Sequence, residues 1–357
     1  MNMNRTPIVE IRLSNECTIF HGSANESAGA VLRGSLCLLL PESLKVKSIS
    51  LRLEGKMKVS WDDVPGVKAS TRNETRNLIA YTWAFIEAHK KPLTLRKGEH
   101  TYPFEIALSG NLPETIHTDF GTVEYKLKAT IDRPTFCTNY TVEKDVVIKR
   151  FALPSSTELI QAVNIAEVWN DKLAYEVHIP SKAFGLKEKI PIRFNILLLS
   201  EDISLRKVSC LLKEYITYRV AGGGRCKLQT RWVNRLSNMD FPKNQSSWEK
   251  SLSLDVPFSS DVIQCDCITE LIHVRHKLKV KIEFRISPGV VKAVYVGIPV
   301  VIISGSSQET FMDLPPYRAL ERCISITSLP PSYETMFDSY TPTYEEVAGH
   351  SLSPTLS

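Results

Sequence analysis

The sequence predicts an all-β chain: two tandem immunoglobulin-like antiparallel β-sandwiches followed by a disordered, proline-containing tail. Three observations lead there. The dominant hydrophobic period is two, the mark of strands with one face in a core and one in water. At 357 residues the chain accommodates about two domains of ordinary size plus some extra chain. Charge and proline are segregated: residues 306–357 hold seven acidic and two basic residues, six of the 20 prolines and no lysine. That segment is −5 on a chain of net +5, so residues 1–305 carry +10. Apolar content of 43% and charged content of 23% exclude a wholly disordered, collagenous or coiled-coil chain. The net charge is too mild to point to nucleic acid, and none is expected as a partner.

The first sandwich is placed at residues 1–150. From Ser48 to Trp61, Ile49, Leu51, Leu53, Met57, Val59 and Trp61 alternate with Ser48, Ser50, Arg52, Glu54, Lys56, Lys58 and Ser60. Val123, Tyr125, Leu127, Ala129 and Ile131 repeat the pattern after Gly121, and a further strand is read at Val142–Lys149. A boundary falls at Phe151–Thr157, where Leu153-Pro154-Ser155-Ser156-Thr157 breaks that strand, and residues 151–170 are read as a linker. The best helix-like period in the chain, Leu159–Trp169, lies in it and is short. The second sandwich is placed at residues 171–305. In it Val274, His276, Leu278, Val280, Ile282 and Phe284 face one way and Arg275, Lys277, Lys279 and Lys281 the other. Val290–Ile303 is interrupted by Lys292, Gly297 and Pro299; it is too short to span a bilayer and reads as a buried strand pair. Polar stretches at 62–77 and 238–247 read as loops. Clean alternation separated by turn signals favours antiparallel sandwiches.

The N-terminus, Met1-Asn2-Met3-Asn4-Arg5-Thr6-Pro7, has no apolar h-region, so a cytosolic chain with reduced thiols is expected. Cys265-Asp266-Cys267 has no matching pair at zinc spacing, and no metal or other cofactor is expected. His273 and His276 fall on opposite strand faces, and His276 reads as a core histidine. There is no P-loop, Gly-x-Ser-x-Gly elbow or His-Glu-x-x-His, so the chain does not read as an enzyme. The candidate binding feature of the body is a basic strip: Arg219, Arg225, Lys227, Arg231 and Arg235, with no acid between the first and last. Gly222-Gly223-Gly224 inside it reads as a hairpin turn. Lys227, Arg231 and Arg235 are expected on one face, with Leu228 and Trp232 on the other. The strip could meet an acidic tail or anionic lipid; an ordinary solvated sheet face is the alternative. The row Arg275, Lys277, Lys279 and Lys281 is a second candidate.

Several segments then line up with a known family. Gly98-Glu99-His100-Thr101-Tyr102-Pro103-Phe104, Leu112-Pro113 and Gly121-Thr122-Val123-Glu124-Tyr125 resemble the second half of an arrestin N-domain. Ile179-Pro180, Phe184-Gly185 and Leu212-Lys213-Glu214-Tyr215 resemble the opening of an arrestin C-domain. Val256-Pro257, Ile272-His273-Val274-Arg275-His276 and Ile298-Pro299-Val300 resemble its close. The resemblance covers Ile8–Ser304 and implies the arrestin fold.

The tail adds Leu329-Pro330-Pro331-Ser332-Tyr333-Glu334, a PPxY motif. Two prolines in polyproline II geometry lower the entropy cost of an extended ligand, and such segments dock on aromatic WW-domain grooves. Leu314-Pro315-Pro316-Tyr317 is a Leu-Pro-x-Tyr variant, and Pro342-Thr343-Tyr344 is a shorter one. With the double sandwich, this tail is similar to that of the arrestin-related trafficking adaptors, or α-arrestins, most of all the fungal ones. The resemblance implies a cytosolic adaptor that links plasma-membrane transporters or receptors to a WW-domain HECT-type ubiquitin ligase, promoting ubiquitination and endocytosis. It implies binding to the cytoplasmic tails of those cargoes and peripheral recruitment to plasma membrane and endosomes. A receptor-signalling arrestin of the ambient-pH-sensing type and a retromer-type coat subunit are the alternatives.

Tyr317 and Tyr333 are 16 residues apart, about 20–25 Å as a flexible chain, enough for two WW domains of one ligase. The lysine-free tail offers no amine, so ubiquitin is expected on lysines of the body or the cargo. Ser325, Ser328, Thr341 and Ser353 are candidate phosphosites, with Arg322 three residues before Ser325, which would make a phosphoserine-reading adaptor a further partner.

Overall fold

The computed structural model of the protein describes residues 6–63, 71–88, 91–151, 157–220, 226–242, 245–258 and 262–304. The first half contributes β1 (Ile8–Leu13), β2 (Cys17–His21), β3 (Ala30–Leu40), β4 (Leu44–Val46), β5 (Ser48–Asp62) and β6 (Thr71–Ile86). β7 (Leu93–Leu95), β8 (Gly98–Leu108), β9 (Ile116–Thr118), β10 (Gly121–Asp132) and β11 (Tyr140–Phe151) complete it. One helical turn, α1 (Thr157–Ile160), follows. The second half contributes β12 (Val163–Trp169), β13 (Leu173–Ile179), β14 (Ala183–Gly185), β15 (Lys189–Leu198) and β16 (Ile203–Arg219). It continues with β17 (Cys226–Asn238), β18 (Ser247–Asp255), β19 (Cys267–Ile268), β20 (Ile272–Ile286) and β21 (Val290–Ile303).

Alternation builds the first sandwich. On β5 and β10 the apolar phase, from Ile49 to Trp61 and from Val123 to Ile131, is buried. These strands pair along their length and form the centre of a sheet ordered β2-β11-β10-β5-β6. The buried phases of β3 and β8, with Leu36, Leu38 and Phe104, meet them from a sheet ordered β1-β3-β8. Gly55 is needed opposite Tyr125, because a Cβ there would lie 2.6 Å from the tyrosine ring. The Tyr125 hydroxyl donates to the Pro113 carbonyl at 2.6 Å, which satisfies its one buried polar group.

The second sandwich repeats the plan. Sheet β12-β13-β15-β18 faces sheet β14-β21-β20-β16-β17 across a separate core that includes Val177, Phe194, Leu212, Leu278 and Ile298. The chain thus forms the expected all-β pair of sandwiches, antiparallel except where β2 pairs β11 and β14 pairs β21 in parallel. The two cores approach each other at one seam. Ile216, Tyr218, Leu271, Ile272 and Val274, at the ends of β16 and β20, pack into the first core. Phe120 meets Tyr218 edge-on with ring centroids 5.6 Å apart. Arg76 crosses from β6 to Glu270 at 2.9 Å.

Three local expectations differ from the structure. Within the stretch read as linker, Val163–Trp169 is strand β12, paired with β13 throughout; of the helix-like stretch, Leu159 and Ile160 lie in the single turn α1. Trp169 supplies the reason, since it packs on Phe284 at 4.8 Å and draws the segment into the second core. The predicted loop at 62–77 contains the start of β6, with Arg72, Glu74 and Arg76 opposite Trp61, Val59 and Met57. As an edge strand it needs a partner's backbone more than an apolar face, so its composition hides it. Val290–Ile303 is one strand, not a pair. Pro299 is tolerated because β21 gains its second neighbour, β14, only from Val301 onward. Among the described residues no helix is long and apolar enough to cross a membrane.

Candidate functional site

The tail motifs, with Leu314, Pro315, Tyr317, Pro330, Pro331, Tyr333, Pro342 and Tyr344, lie outside the described residues, as does Arg225. The described part of the basic strip sits on β16 and β17, and it does not share one face. Up to Trp232, strand β17 turns Lys227, Gln229 and Arg231 inward, opposite Tyr218, Ile216 and Glu214. Leu228 and Trp232 point out, and Trp232 is 70% exposed. A register shift at Leu212/Lys213 then sets Trp232 opposite Lys213 and Asn234 opposite Leu212, leaving Val233 as an extra residue. The phase flips there, so Arg235 emerges on the outer face beside Trp232. The predicted common face of Lys227, Arg231 and Arg235 is thereby corrected.

The inward pair has structural partners. Lys227 places its ammonium 3.8 Å from the centre of the Phe120 ring, a cation–π contact across the seam. Gln229 links Tyr218 to Asp119 of the first sandwich. Arg231, with 22% of its side chain exposed, donates Nε to wholly buried Glu214 at 2.5 Å. Glu214 also accepts the Gln264 N–H at 2.7 Å and lies 3.5 Å from His276 Nε2. His276 Nδ1 is 2.6 Å from Asp266, which accepts the Ile302 N–H. Burial pulls the His276 pKa down, but its hydrogen bonds to Asp266 and Glu214 outweigh that and hold it above the ordinary value. Burial pushes Glu214 up, yet its hydrogen bonds with His276, Arg231 and Gln264 bring it below the usual carboxylate range. Sequence reading found His276 but missed Glu214, although it occupies the apolar phase of β16 between Leu212 and Ile216.

Asp266 reaches toward the first sandwich. Burial raises the Glu114 pKa to about 7, with Arg150 opposing the rise and Asp266 adding to it. Arg150 in turn donates to the carbonyls of Gly22, Gly110 and Leu112 at 2.8, 2.7 and 2.9 Å. Burial also pushes the Cys265 and Cys267 thiols up, which leaves them weakly nucleophilic. Among the described residues no group of three or more His, Cys, Asp or Glu side chains is placed to hold a metal ion.

The outward phase of this long sheet is where exposed charge collects. Strand β16 contributes Lys207, Lys213 and Arg219, and β17 contributes Arg235. Strand β20 contributes Arg275, Lys277, Lys279, Lys281 and Arg285, the second candidate row of the sequence extended by one. Glu283 is the one acid on the same phase of these strands and of β21. Nine basic groups against one acid leave an excess of eight positive charges. Among the described residues Lys281 alone of the nine makes an ion pair, to Glu283. Lys213 stands directly opposite Lys277, an arrangement that costs stability. Tyr295, 71% exposed, stands opposite Lys281, and a trough of about 420 Å³ runs between Tyr295 and Trp232.

The corresponding face of the first sandwich is balanced. Arg52, Lys56, Lys58, Lys126, Lys128 and Lys149 alternate with Glu54, Asp62, Glu124, Asp132, Glu143 and Asp145. Four of the six cations there are ion-paired, to Glu54, Glu124 or Glu143.

Comparison with known proteins matches the two sandwiches separately. The family model for the arrestin (or S-antigen) N-terminal domain matches residues 9–153, and that for the C-terminal domain matches residues 169–308. An arrestin domain-containing protein of Schizosaccharomyces pombe is 30% identical over 305 residues, covering 83% of this chain and 51% of the relative. The HECT-type ubiquitin ligase-interacting protein creD of Emericella nidulans is 27% identical over 310 residues, covering 82% and 52%. A probable counterpart in Aspergillus oryzae is 28% identical over 310 residues, with the same coverage. The chain spans about half the length of the curated relatives it matches.

Proposed function

The chain belongs to the arrestin-domain family, and from that premise we propose that it is an adaptor for a HECT-type ubiquitin ligase. In this reading the PPxY segment Leu329–Glu334 docks on a WW domain of the ligase, assisted by Tyr317 and Tyr344. The body engages cytoplasmic tails of membrane transporters or receptors, promoting their ubiquitination and endocytosis at plasma membrane and endosomes. The observation that carries the reading is the pairing of a PPxY motif with relatives named for interaction with HECT-type ligases. The outer face of the second sandwich supports the membrane half of the role. Basic residues near an anionic leaflet contribute about 1 kcal/mol each, and the face lies on a rigid sheet.

The test is binding of isolated WW domains to the full chain and to Tyr333→Ala. Loss of the tyrosine from its pocket lowers affinity at least about tenfold, a change of about 1.4 kcal/mol. Equal binding by both chains refutes the role assigned to Tyr333.

A further inference from the structure

Strand β10 meets the seam beside Gly121 and ends at Asp132, about 35 Å of strand away. The loop that joins it to Tyr140 of β11 therefore lies at the far end of the first sandwich. There the Cys137 N–H donates to the Pro134 carbonyl at 3.0 Å, closing a tight turn with Thr135 and Phe136 at its centre. Phe136 has a φ of +71°, at the turn position where glycine or asparagine is usual. A bulky side chain is strained there, and the strain brings no burial. At 104% of its reference area, Phe136 is the most exposed large apolar side chain among the described residues. Hydrogen bonds fix the base of the turn. The Asp132 carboxylate accepts from the Ser48 hydroxyl at 2.6 Å and from the Asn139 amide at 2.8 Å. Asn139 in turn accepts the Arg133 N–H at 2.9 Å, and the Arg133 guanidinium lies 5.1 Å from the centre of the Tyr140 ring. The Lys47 N–H donates to the Asp132 carbonyl at 2.7 Å, and its ammonium reaches the Thr135 hydroxyl at 3.4 Å. A braced loop thus holds an aromatic ring out in water.

The surroundings of the ring decide what it meets. Thr135, Cys137, Thr138 and Asn139 beside it are exposed and polar or small. A stable protein interface takes about 800 Å² a side with an apolar centre, which one ring on a polar shaft does not offer. A bilayer accepts a single ring in its acyl region while hydroxyls and amides stay among the headgroups. Charge agrees. Lys47 and Arg133 adjoin the turn, Lys45 lies on β4, and Lys91 precedes Leu93, which is 49% exposed and pairs with Val46. Against these four cations the same strand ends carry two acids, Glu87 and Asp132, an excess of positive charge that favours an anionic leaflet. We propose that the Pro134–Thr138 turn is a bilayer-contacting wedge: Phe136 enters the acyl region of an anionic leaflet, and Lys45, Lys47, Lys91 and Arg133 meet the headgroups around it. The wedge rests on the membrane half of the proposed function, to which it gives a point of contact, and not on ligase binding.

Sedimentation of the full chain with phosphatidylcholine vesicles containing phosphatidylserine supplies the test. Phe136→Ser is expected to lower partitioning at least about tenfold, or 1.4 kcal/mol, the low end of what burying a phenylalanine ring contributes. Phe136→Gly should give the same loss with the thermal unfolding midpoint maintained, because glycine adopts a φ of +71° freely. Lys45→Glu/Lys47→Glu should also cost at least about tenfold at low salt. Depth is read by fluorescence. Trp232→Phe removes the exposed indole of the second sandwich. In that background Phe136→Trp is expected to be quenched by lipids brominated on the acyl chain, while the parent, with Trp61, Trp83, Trp169 and Trp248, is not. Wild-type sedimentation that Phe136→Ser and Phe136→Gly leave unchanged overturns the wedge. If quenching is then confined to Trp232, the bilayer contact belongs to the second sandwich; if it is absent, the ring is left to a protein pocket. A wild-type chain that does not sediment with these vesicles refutes the wedge and the membrane half of the reading together. A chain that sediments through Phe136 but binds no WW domain upholds the wedge and refutes the ligase reading.

Discussion

Glu214→Leu removes a carboxylate wholly buried between β16, β17 and β20. In the native protein it accepts from Arg231 at 2.5 Å and from the Gln264 N–H at 2.7 Å, and lies 3.5 Å from His276. Leucine fills the volume but supplies none of these interactions. Breaking a buried ion pair from one side costs about 3–5 kcal/mol, because the remaining charge stays desolvated. Against a typical total of about 5–15 kcal/mol, that is a large fraction. Urea unfolding followed by tryptophan fluorescence reads the loss, since Trp169 and Trp248 pack in the second core. With a slope of about 1–3 kcal/mol/M, the midpoint falls by about 1–5 M. Glu214→Leu/His276→Phe removes the stranded imidazole as well and recovers part of the loss. The pH dependence has a definite sign. The raised His276 pKa gives a stabilisation that is full below the imidazole's ordinary value and is lost as pH rises through the folded value. The depressed Glu214 pKa gives one that is full above the usual carboxylate range and is lost as pH falls through the folded value. Wild-type stability in the second sandwich is therefore greatest between these limits, and His276→Phe flattens the alkaline side. A cost below about 1 kcal/mol for Glu214→Leu refutes the assignment of this cluster as a brace of the sheet.

Two further predictions concern the first sandwich and its seam. Burial raises Glu114 to about 7, so native stability declines as pH rises from about 4.5 through 7, and Glu114→Gln gains about 1–3 kcal/mol at pH 8 but little at pH 5. Thermal unfolding at these pH values checks it, and parallel curves for the two chains refute it. Gly121→Val drives side-chain atoms into Ile272 and Val59, which would already lie 2.9 and 3.0 Å from a Cβ, so overpacking costs about 1–3 kcal/mol. Denaturant midpoints of the two chains give the difference, and equality refutes the close approach of the sandwiches there.

What was legible in the sequence was whatever obeys a period of two. Strands β5, β10 and β20 could be read residue by residue because one phase is buried and the other wet, and His276 could be placed inside for the same reason. The β17 strip was misplaced because its phase depends on the register shift opposite Leu212/Lys213, a property of two strands that neither segment displays alone. Thr71–Asn77 was missed because an edge strand draws on a neighbour's backbone and needs no apolar face. Glu214 sat on the apolar phase in plain view, but a single acid among apolar residues signals a buried charge only once its partners, Arg231 and His276, are known to converge on it.

The contrast between the two long sheets shows how binding properties separate from the fold. In both sandwiches the inward phase is apolar and closes a core, so the outward phase is free to vary at little cost. The first sheet uses that freedom to alternate signs, and four of its six lysines and arginines find carboxylates on the same or the next strand. The second places like charges on consecutive outward positions of β20 and faces one of them with Lys213. Cross-strand pairs contribute about 0.2–1 kcal/mol each, so the second core can absorb the penalty without losing the fold. Nothing in folding rewards such a face, and its self-repulsion is relieved only when an anion covers it.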